Sequence, residues 1–235
     1  MGADAAGGEI YGSVGRVLKE ALRMSGAVTK VVLEALRYNA VVRRMYDRRA
    51  VRKWESAGRP IPPPYAIKRR TILEYAQRFG CKIFIETGTY MGDTPWALRD
   101  SFRELNTIEL HQGLYERARR VFARVPHVNC IQGDSGQRLP ELVKKYNEPI
   151  LFWLDGHYCG EGTGRGVEDA PVMREIVCIF DHPVRDHVIL LDDARNFVGR
   201  SGYPTVEALR DWVAKRRPDW VFLVEHDVIR IHRAG

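Results

Sequence analysis

The sequence contains few cysteines, and they follow no recognisable pattern. Cys81, Cys130, Cys159 and Cys178 are far apart and form no Cys-x-x-Cys pair, the spacing that zinc sites and thiol redox motifs commonly use. This argues against both a zinc site and a disulfide framework. We therefore expect reduced thiols in a cytoplasmic protein.

Long apolar runs are also missing. The longest stretch without a charged residue is residues 125–133, far shorter than the about 20 residues that a membrane-spanning helix needs. Residues 1–9 include acidic side chains and no apolar core, so we expect no secretory signal. A chain of 235 residues with 45% hydrophobic content fits one α/β domain plus an appendage.

Excess positive charge is confined to one end of the chain. The net charge is +7, but residues 1–70 hold 15 Lys/Arg against 6 Asp/Glu, which leaves residues 71–235 with 22 against 24. Apolar residues recur with helical spacing from Val14 to Leu22 and again from Val28 to Tyr46, and Pro60 and the prolines after it stop the pattern. The sequence thus predicts a basic helical arm and Pro-rich connector over 1–70 and a second domain over 71–235.

The polar face of this arm admits three interpretations. It carries a run of basic residues, namely Arg43, Arg44, Arg48, Arg49, Arg52 and Lys53. Amphipathic helices most often cover an apolar face of their own domain or join subunits into a homo-oligomer, which is the interpretation we favour. Peripheral contact with an anionic membrane and binding of a nucleic acid or acidic partner are the alternatives.

From residue 71 onward, strand-like and helix-like segments alternate, which is typical of a parallel sheet covered on both faces. Predicted strands span 83–86, 107–110, 128–132, 150–155, 188–192, 220–224 and 228–231, and predicted helices span 71–79, 114–123, 140–146, 171–180 and 206–215. Only a few residues around His226 separate the last two strands, which is too short for a helical crossover. We expect a Rossmann-like α/β sheet of six parallel strands closed by one antiparallel hairpin strand.

The first strand leads into the turn Glu86-Thr87-Gly88-Thr89-Tyr90-Met91-Gly92. It lacks the Gly-x-Gly-x-x-Gly spacing of dinucleotide pyrophosphate sites. It resembles motif I of the class I S-adenosylmethionine (SAM)-dependent methyltransferases, and the resemblance extends over about residues 71–232. The resemblance implies SAM as cofactor, contacted by Glu86, Thr87, Gly88, Thr89 and Gly92.

Acidic residues follow the next two strands as well. Glu109 ends the second strand, where a carboxylate can accept both hydroxyls of a ribose. Asp134 and Ser135 follow the third strand, at the place where the methyltransferases hold the adenine edge; a turn or helix-cap role is the alternative. Together with Glu86, these acids at successive strand ends favour a SAM site.

Three further carboxylates follow the fourth and fifth strands. Asp155, Asp192 and Asp193 supply hard oxygen ligands of the kind Mg²⁺ prefers. They resemble the carboxylate triad of the metal-dependent O-methyltransferases of the catechol and macrocin types; the Asp-Asp pair here matches the macrocin type. His157 follows Asp155 at the start of a Gly-rich segment over 156–170 that we interpret as a lid or substrate loop, and we predict His157 as general base beside Asp155. There are three alternatives. Asp155 could contact only SAM or substrate, Asp193 could cap the segment that follows it, and His157 could form a hydrogen bond within its own loop.

These observations predict a SAM-dependent O-methyltransferase that acts on a hydroxyl of a small molecule, a sugar or glycosylated metabolite among the candidates, with help from Mg²⁺. A hydroxylase-like relative of the macrocin group is the alternative enzyme, and a nucleic-acid- or membrane-binding protein acting through the basic arm is the alternative outside it. We expect no nucleic acid partner, because Leu154-Asp155-Gly156-His157 stands where the base methyltransferases have a tetrad like Asn-Pro-Pro-Tyr.

Overall fold

The structure, a computed structural model, describes residues 39–156 and 171–234. The chain divides into two compact units, residues 1–58 and 59–235. In the first unit, helix α1 spans Ala40–Ser56, and the Asn39 side chain caps it by accepting from the amides of Val41 and Val42 at 3.0 and 3.1 Å. The sequence predicts a helical pattern from Val28 through Tyr46, and within it the structure shows a helix that begins at residue 40. Asn39 caps this helix because its side chain accepts from amides that have no partner within the helix. The pattern between Ser13 and Arg37 lies outside the described residues.

The second unit alternates helices and strands. Its helices are α2 (Tyr65–Arg78), α3 (Asp93–Leu98), α4 (Gln112–Phe122), α5 (Ser135–Val143), α6 (Val172–Asp181) and α7 (Val206–Arg216), with a short 3₁₀ helix at Ala194–Asn196. Its strands are β1 (Ile83–Thr87), β2 (Glu104–Glu109), β3 (Val128–Gln132), β4 (Ile150–Leu154), β5 (Val188–Leu191), β6 (Trp220–Glu225) and β7 (Val228–Arg233). Within residues 39–156 and 171–234, none of the helices is long and apolar enough to cross a membrane.

The seven strands form one sheet in the order β3-β2-β1-β4-β5-β7-β6. Neighbouring strands from β3 to β5 pair in parallel, and β7 pairs antiparallel with both β5 and β6. The prediction of six parallel strands and one antiparallel hairpin strand is confirmed. The predicted strand ends differ from the observed ones by at most three residues.

Apolar residues cover both faces of the sheet. Ile83, Ile85 and Phe152 belong to the core on one face, and Phe84 and Leu151 to the core on the other. All the residues of β1, β4 and β5 are buried, as expected of central strands packed between two helical layers. Polar side chains can therefore leave these strands only at their ends, which is where the candidate site lies.

Two helices begin earlier than the sequence indicated. Helix α2 starts at Tyr65, not at Thr71, and its buried side includes Ile67 and Lys68. Helix α5 starts at Ser135 and contains Pro140 inside it, whereas the sequence placed the helix start at that proline. Proline is favoured in a first turn, but a helix tolerates it further along when other contacts hold the helix.

A buried histidine just before β5, His187, makes stability depend on pH. His187 accepts from the Ile150 amide at 3.1 Å, and its other ring nitrogen lies 2.9 Å from His182. Burial, followed by the proximity of His182, lowers the pKa of His187 to about 3. The unfolded chain, with a pKa near 6.5, then binds more protons at acid pH than the folded protein does.

We therefore expect the stability that neutral His187 provides to be complete above pH 6.5 and to fall by up to about 1.4 kcal/mol per pH unit as the pH drops from 6.5 toward 3. Denaturant unfolding of the wild type and of His187→Gln, measured across this range, checks the expectation. The glutamine can donate and accept but does not titrate, so its curve should fall less steeply. Parallel curves would contradict the assignment.

Candidate active site at the carboxyl ends of the strands

The ends of five parallel strands meet along one edge of the sheet. At the ends of the strands, Thr87 pairs with Leu154, and Leu154 pairs with Leu191. The parallel pairing continues one residue further, because the Asp155 amide donates to Thr87 O and the Asp192 amide donates to Leu154 O, each at 3.1 Å. The register of the sheet therefore sets Gly88, Asp155 and Asp192 side by side. On the other side of β1, the Gly88 amide donates to Ile108 O at 2.9 Å, next to Glu109.

Gly88 is required by its surroundings. Its φ is +85°, and a Cβ there would lie 2.5 Å from the carbonyl oxygen of Asp155. No residue with a side chain fits that space without moving the backbone, and the left-handed conformation also favours glycine. The group that approaches Gly88 so closely is the backbone of the residue that follows β4.

Glu109 is held in place by the turn after β1. Its two carboxylate oxygens accept from the amides of Tyr90 and His111, both at 2.8 Å. Tyr90 has a φ of 47°, a left-handed conformation that costs a bulky residue energy and is often associated with functional sites. A carboxylate has about four acceptor positions, so two amides leave room for a diol.

Glu86 lies deeper than Glu109. It is 2% exposed, and its carboxylate accepts from the Thr107 hydroxyl at 2.6 Å, which in turn lies 2.6 Å from the Thr89 hydroxyl. Burial raises the pKa of Glu86 well above its ordinary value, hydrogen bonding to Thr107 opposes this, and the charges of Asp155 and Glu109 add to it. Glu86 thus joins β1, β2 and the turn below the crevice that we expected it to face.

The third strand end is supported by an acid that sequence reasoning missed. Asp134 precedes α5 without capping it through its side chain, and it lies 3.5 Å from Arg174. Glu175 on α6 is buried, and burial raises its pKa to about 7, against the opposing effect of the Ser135 and Thr87 hydroxyls. Helix α6 therefore brings a second titratable group to the predicted adenine end of the site.

The carboxyl groups of Asp155, Asp192 and Asp193, called the carboxylate cluster below, meet a lysine from α2. Lys68 Nζ donates to Asp192 Oδ2 at 2.6 Å and to Asp193 Oδ1 at 3.0 Å. Burial lowers the pKa of Lys68, but Asp192 and Asp193 outweigh burial and raise the pKa to about 12. At neutral pH Lys68 is therefore a fixed positive charge within the cluster.

An arginine and the β6–β7 turn hold the other side of Asp193. Arg195 Nη1 lies 3.0 Å from Asp193 Oδ1 and also contacts the carboxylate of Asp227, whose other oxygen accepts from the Arg195 amide at 2.9 Å. Asp193 itself has a φ of 55°. The antiparallel hairpin thus fixes the geometry of the segment that follows β5.

Comparison of the whole structure with solved structures identifies the architecture. The O-methyltransferase TomG from Streptomyces achromogenes, involved in tomaymycin synthesis and solved in complex with SAM, matches with a TM-score of 0.53 and 16% identity over 80% of this chain and 89% of TomG. The O-methyltransferase from Bacillus cereus in complex with S-adenosylhomocysteine (SAH) matches at 0.50 and 16%, over 80% and 90%. The SAH-bound Podospora anserina methyltransferase PaMTH1 matches at 0.50 and 18%, over 79% and 88%.

This chain has the class I methyltransferase fold. No family model and no curated protein sequence matches it, so the likeness is one of structure. Within this fold, Asp134, Glu109, Gly88 and Asp155 lie at or just after neighbouring strand ends, and their contact with SAM stays a prediction. His157 lies outside the described residues.

Among the described residues, two oxygens that a divalent metal would need are already engaged by basic side chains. Asp192 Oδ2 and Asp193 Oδ1 are both engaged by Lys68, and Asp193 Oδ1 also by Arg195. No group of three acidic, histidine or cysteine side chains is arranged to hold a metal ion in the part of the chain that the structure describes. Three acids that converge without a cation would repel one another, and Lys68 supplies a positive charge between Asp192 and Asp193.

The sequence analysis missed two residues beside the carboxylate cluster, Lys68 and Tyr65. The centre of the Tyr65 ring lies 5.5 Å from Lys68 Nζ, and partial desolvation, followed by the negative charge of Asp155, raises the pKa of the Tyr65 phenol above its ordinary value. A signal for Lys68 does exist in the sequence. It shares a helical stripe with Ile72 and Tyr75, both buried, and a lysine on an apolar stripe needs a buried partner.

Proposed function

We propose that this protein is a SAM-dependent O-methyltransferase that acts on a hydroxyl of a small molecule. The observation that carries the proposal is the row of acids at successive strand ends, led by Glu109, whose carboxylate is oriented by the Tyr90 and His111 amides toward the crevice of a class I methyltransferase fold. Matched structures with this fold are O-methyltransferases bound to SAM or SAH.

Different residues of the site would bind different parts of SAM. Glu109 would accept the ribose hydroxyls, Asp134 and Ser135 would hold the adenine edge, and the turn from Thr87 to Gly92 would pass beside the methionine part. SAM, when bound, supplies an electrophilic methyl group. The protein then has to align the acceptor oxygen with the S–CH₃ bond and receive its proton.

The acceptor would enter beside the carboxylate cluster. Asp155 lies between Gly88, on the side proposed for the cofactor, and Asp192, on the side of the carboxylate cluster. A hydroxyl placed beside Asp155 would therefore be close to both SAM and the cluster. Tyr65, 58% exposed, lies at the outer side of the cluster and offers an aromatic surface to a substrate. His157, two residues after Asp155, remains our prediction for the group that takes the proton.

Magnesium assistance remains a prediction from the sequence. Asp155, Asp192 and Asp193 are hard ligands, but a divalent ion would have to displace Lys68 from two of them. Inhibition of methyl transfer by chelators would support the requirement.

Thermal unfolding with and without ligand tests the proposed function. SAM or SAH at about 100 times its dissociation constant should stabilise the protein by about 2.7 kcal/mol, which raises the melting temperature by roughly 5–10 °C for a domain of this size. NAD serves as the control nucleotide. A shift with NAD and none with SAM or SAH would refute the cofactor assignment.

Removal of the arm should leave cofactor binding intact. Every residue that we assign to the SAM site belongs to the compact unit that begins at Arg59, so a protein starting at Pro60 is expected to bind SAH within about threefold of the full chain, a difference below about 0.7 kcal/mol. Calorimetric titration of both proteins checks this. Loss of binding in a truncated protein that remains folded would show that the arm completes the pocket. Loss of solubility, or a smaller mass in solution than the removed residues explain, would assign the arm to association.

A further inference from the structure

The positive charge in the carboxylate cluster comes from the protein chain. Lys68 is 8% exposed, and Asp192 and Asp193 are 4% and 8% exposed. Its contacts of 2.6 and 3.0 Å have the length of charge-assisted hydrogen bonds, which are roughly twice as strong as neutral ones. Lys68 comes from α2, 124 residues before Asp192, so the fold brings it there.

The surroundings require a cation at this point. Burial and the charge of Asp155 raise the pKa of Asp192 while Lys68 lowers it, so without a cation the buried carboxylates would take up protons. Mg²⁺ binds carboxylate oxygens at about 2.0–2.1 Å. An ion bound to Asp192 Oδ2 would lie beside the ammonium group that already lies 2.6 Å from the same oxygen, and the two positive charges would repel each other. Lysine and metal therefore compete for the same carboxylates.

We propose that the Lys68 ammonium takes the place of a divalent cation in this site, and that Asp192 and Asp193 hold Lys68 and not a metal ion. An ammonium group has three N–H donors, and the two aspartates use two of them. The third is the donor for an acceptor oxygen, which makes Lys68 a positioning residue for the methyl acceptor. This role rests on the proposed function; the occupation of the cation position does not.

The substitution of lysine for a metal also narrows the substrate class. A metal ion can chelate two neighbouring oxygens of a substrate, as in the catechol type, whereas one N–H of Lys68 binds one oxygen.

Binding of Mn²⁺, followed by electron paramagnetic resonance on the full chain at pH 8, tests the proposal without any acceptor. We expect the wild type to bind no Mn²⁺ at the cluster. Lys68→Met removes the ammonium at similar volume and should gain one Mn²⁺ per chain, with affinity at least roughly 100-fold above the wild type because a nearby positive charge is gone. Adding Asp192→Asn to Lys68→Met should abolish the gain. Lys82→Met, which removes an exposed lysine, is the matched control and should bind none.

Two results would overturn the proposal. One is a wild-type protein that binds one Mn²⁺ per chain and loses it in Asp192→Asn, because Lys68 would then leave room for a metal. The other is a folded Lys68→Met protein that binds none, because the cluster would then not be a cation site at all. If Lys68→Met does not fold, Lys68→Gln, which keeps two N–H donors for the aspartates but carries no charge, replaces it and should gain the same Mn²⁺. Failure of the proposed function would instead appear in the thermal-shift experiment, which contains no metal.

Discussion

Replacement of Glu109 by alanine is expected to abolish the stabilisation that SAH gives the protein. Glu109 is the one acid in the row whose two oxygens are both fixed by backbone amides, those of Tyr90 and His111. Hydrogen bonds to a charged group contribute about 1.5–3 kcal/mol each, so loss of two ribose contacts should weaken SAH binding by roughly 100-fold or more. Calorimetric titration and melting curves with SAH measure the effect.

The matched control is Glu116→Ala on α4, an exposed acid bonded only to the Gln112 side chain among the described contacts. It removes the same charge a short distance along the chain and should leave SAH affinity unchanged. Glu109→Ala also leaves the Tyr90 and His111 amides without their acceptor, so its melting temperature without ligand should fall, and SAH binding is measured where the variant is still folded. Undiminished SAH binding by Glu109→Ala would show that the ribose lies elsewhere.

Gly88→Ala should have the largest effect on stability. The new methyl group would lie 2.5 Å from the Asp155 carbonyl oxygen, on a residue with a φ of +85°. The left-handed conformation costs a residue with a side chain about 1–2 kcal/mol, and overpacking typically adds about 1–3 kcal/mol. We expect a loss of about 2–5 kcal/mol in the free energy of unfolding, measured with denaturant, and weaker SAH binding because β1 and β4 are forced apart.

Gly80→Ala separates the two causes. Gly80 has a φ of +65°, and nothing lies within 4 Å of the position a Cβ would take. The variant carries the conformational cost without the collision, so its loss should stay near about 1–2 kcal/mol, and SAH binding should be unchanged. Equal losses for Gly80→Ala and Gly88→Ala would mean that β1 and β4 can separate freely and that the approach at Gly88 does not constrain the site.

The order and type of the elements could be predicted from the sequence because the burial pattern is local. Strands such as Ile150–Leu154 are apolar throughout and end at an acid, and the hairpin follows from the few residues between β6 and β7. Acids at strand ends could be aligned in advance, since parallel strands end at the same edge. For this reason the sequence predicts that Asp155 lies near Asp192 and Asp193.

The charge balance of the site could not be predicted in this way. Lys68 binds Asp192, which lies 124 residues later in the chain. The sequence pattern predicts a helix start at Thr71, after Lys68, so it does not place Lys68 on the helix. The contact of Arg195 with Asp227 likewise depends on the β6–β7 turn returning to β5. Such ion pairs join residues that are far apart in sequence, so they can be identified only once the strand order and register of the sheet are known.

A crystal structure of the full chain with SAH is the most direct test of the central claim. The account predicts SAH along the strand ends, with both ribose hydroxyls on the Glu109 carboxylate, the adenine beside Asp134 and Ser135, and the sulfur directed toward Asp155. SAH bound with its ribose away from Glu109, or a crevice without SAH at a saturating concentration of the ligand, would contradict it.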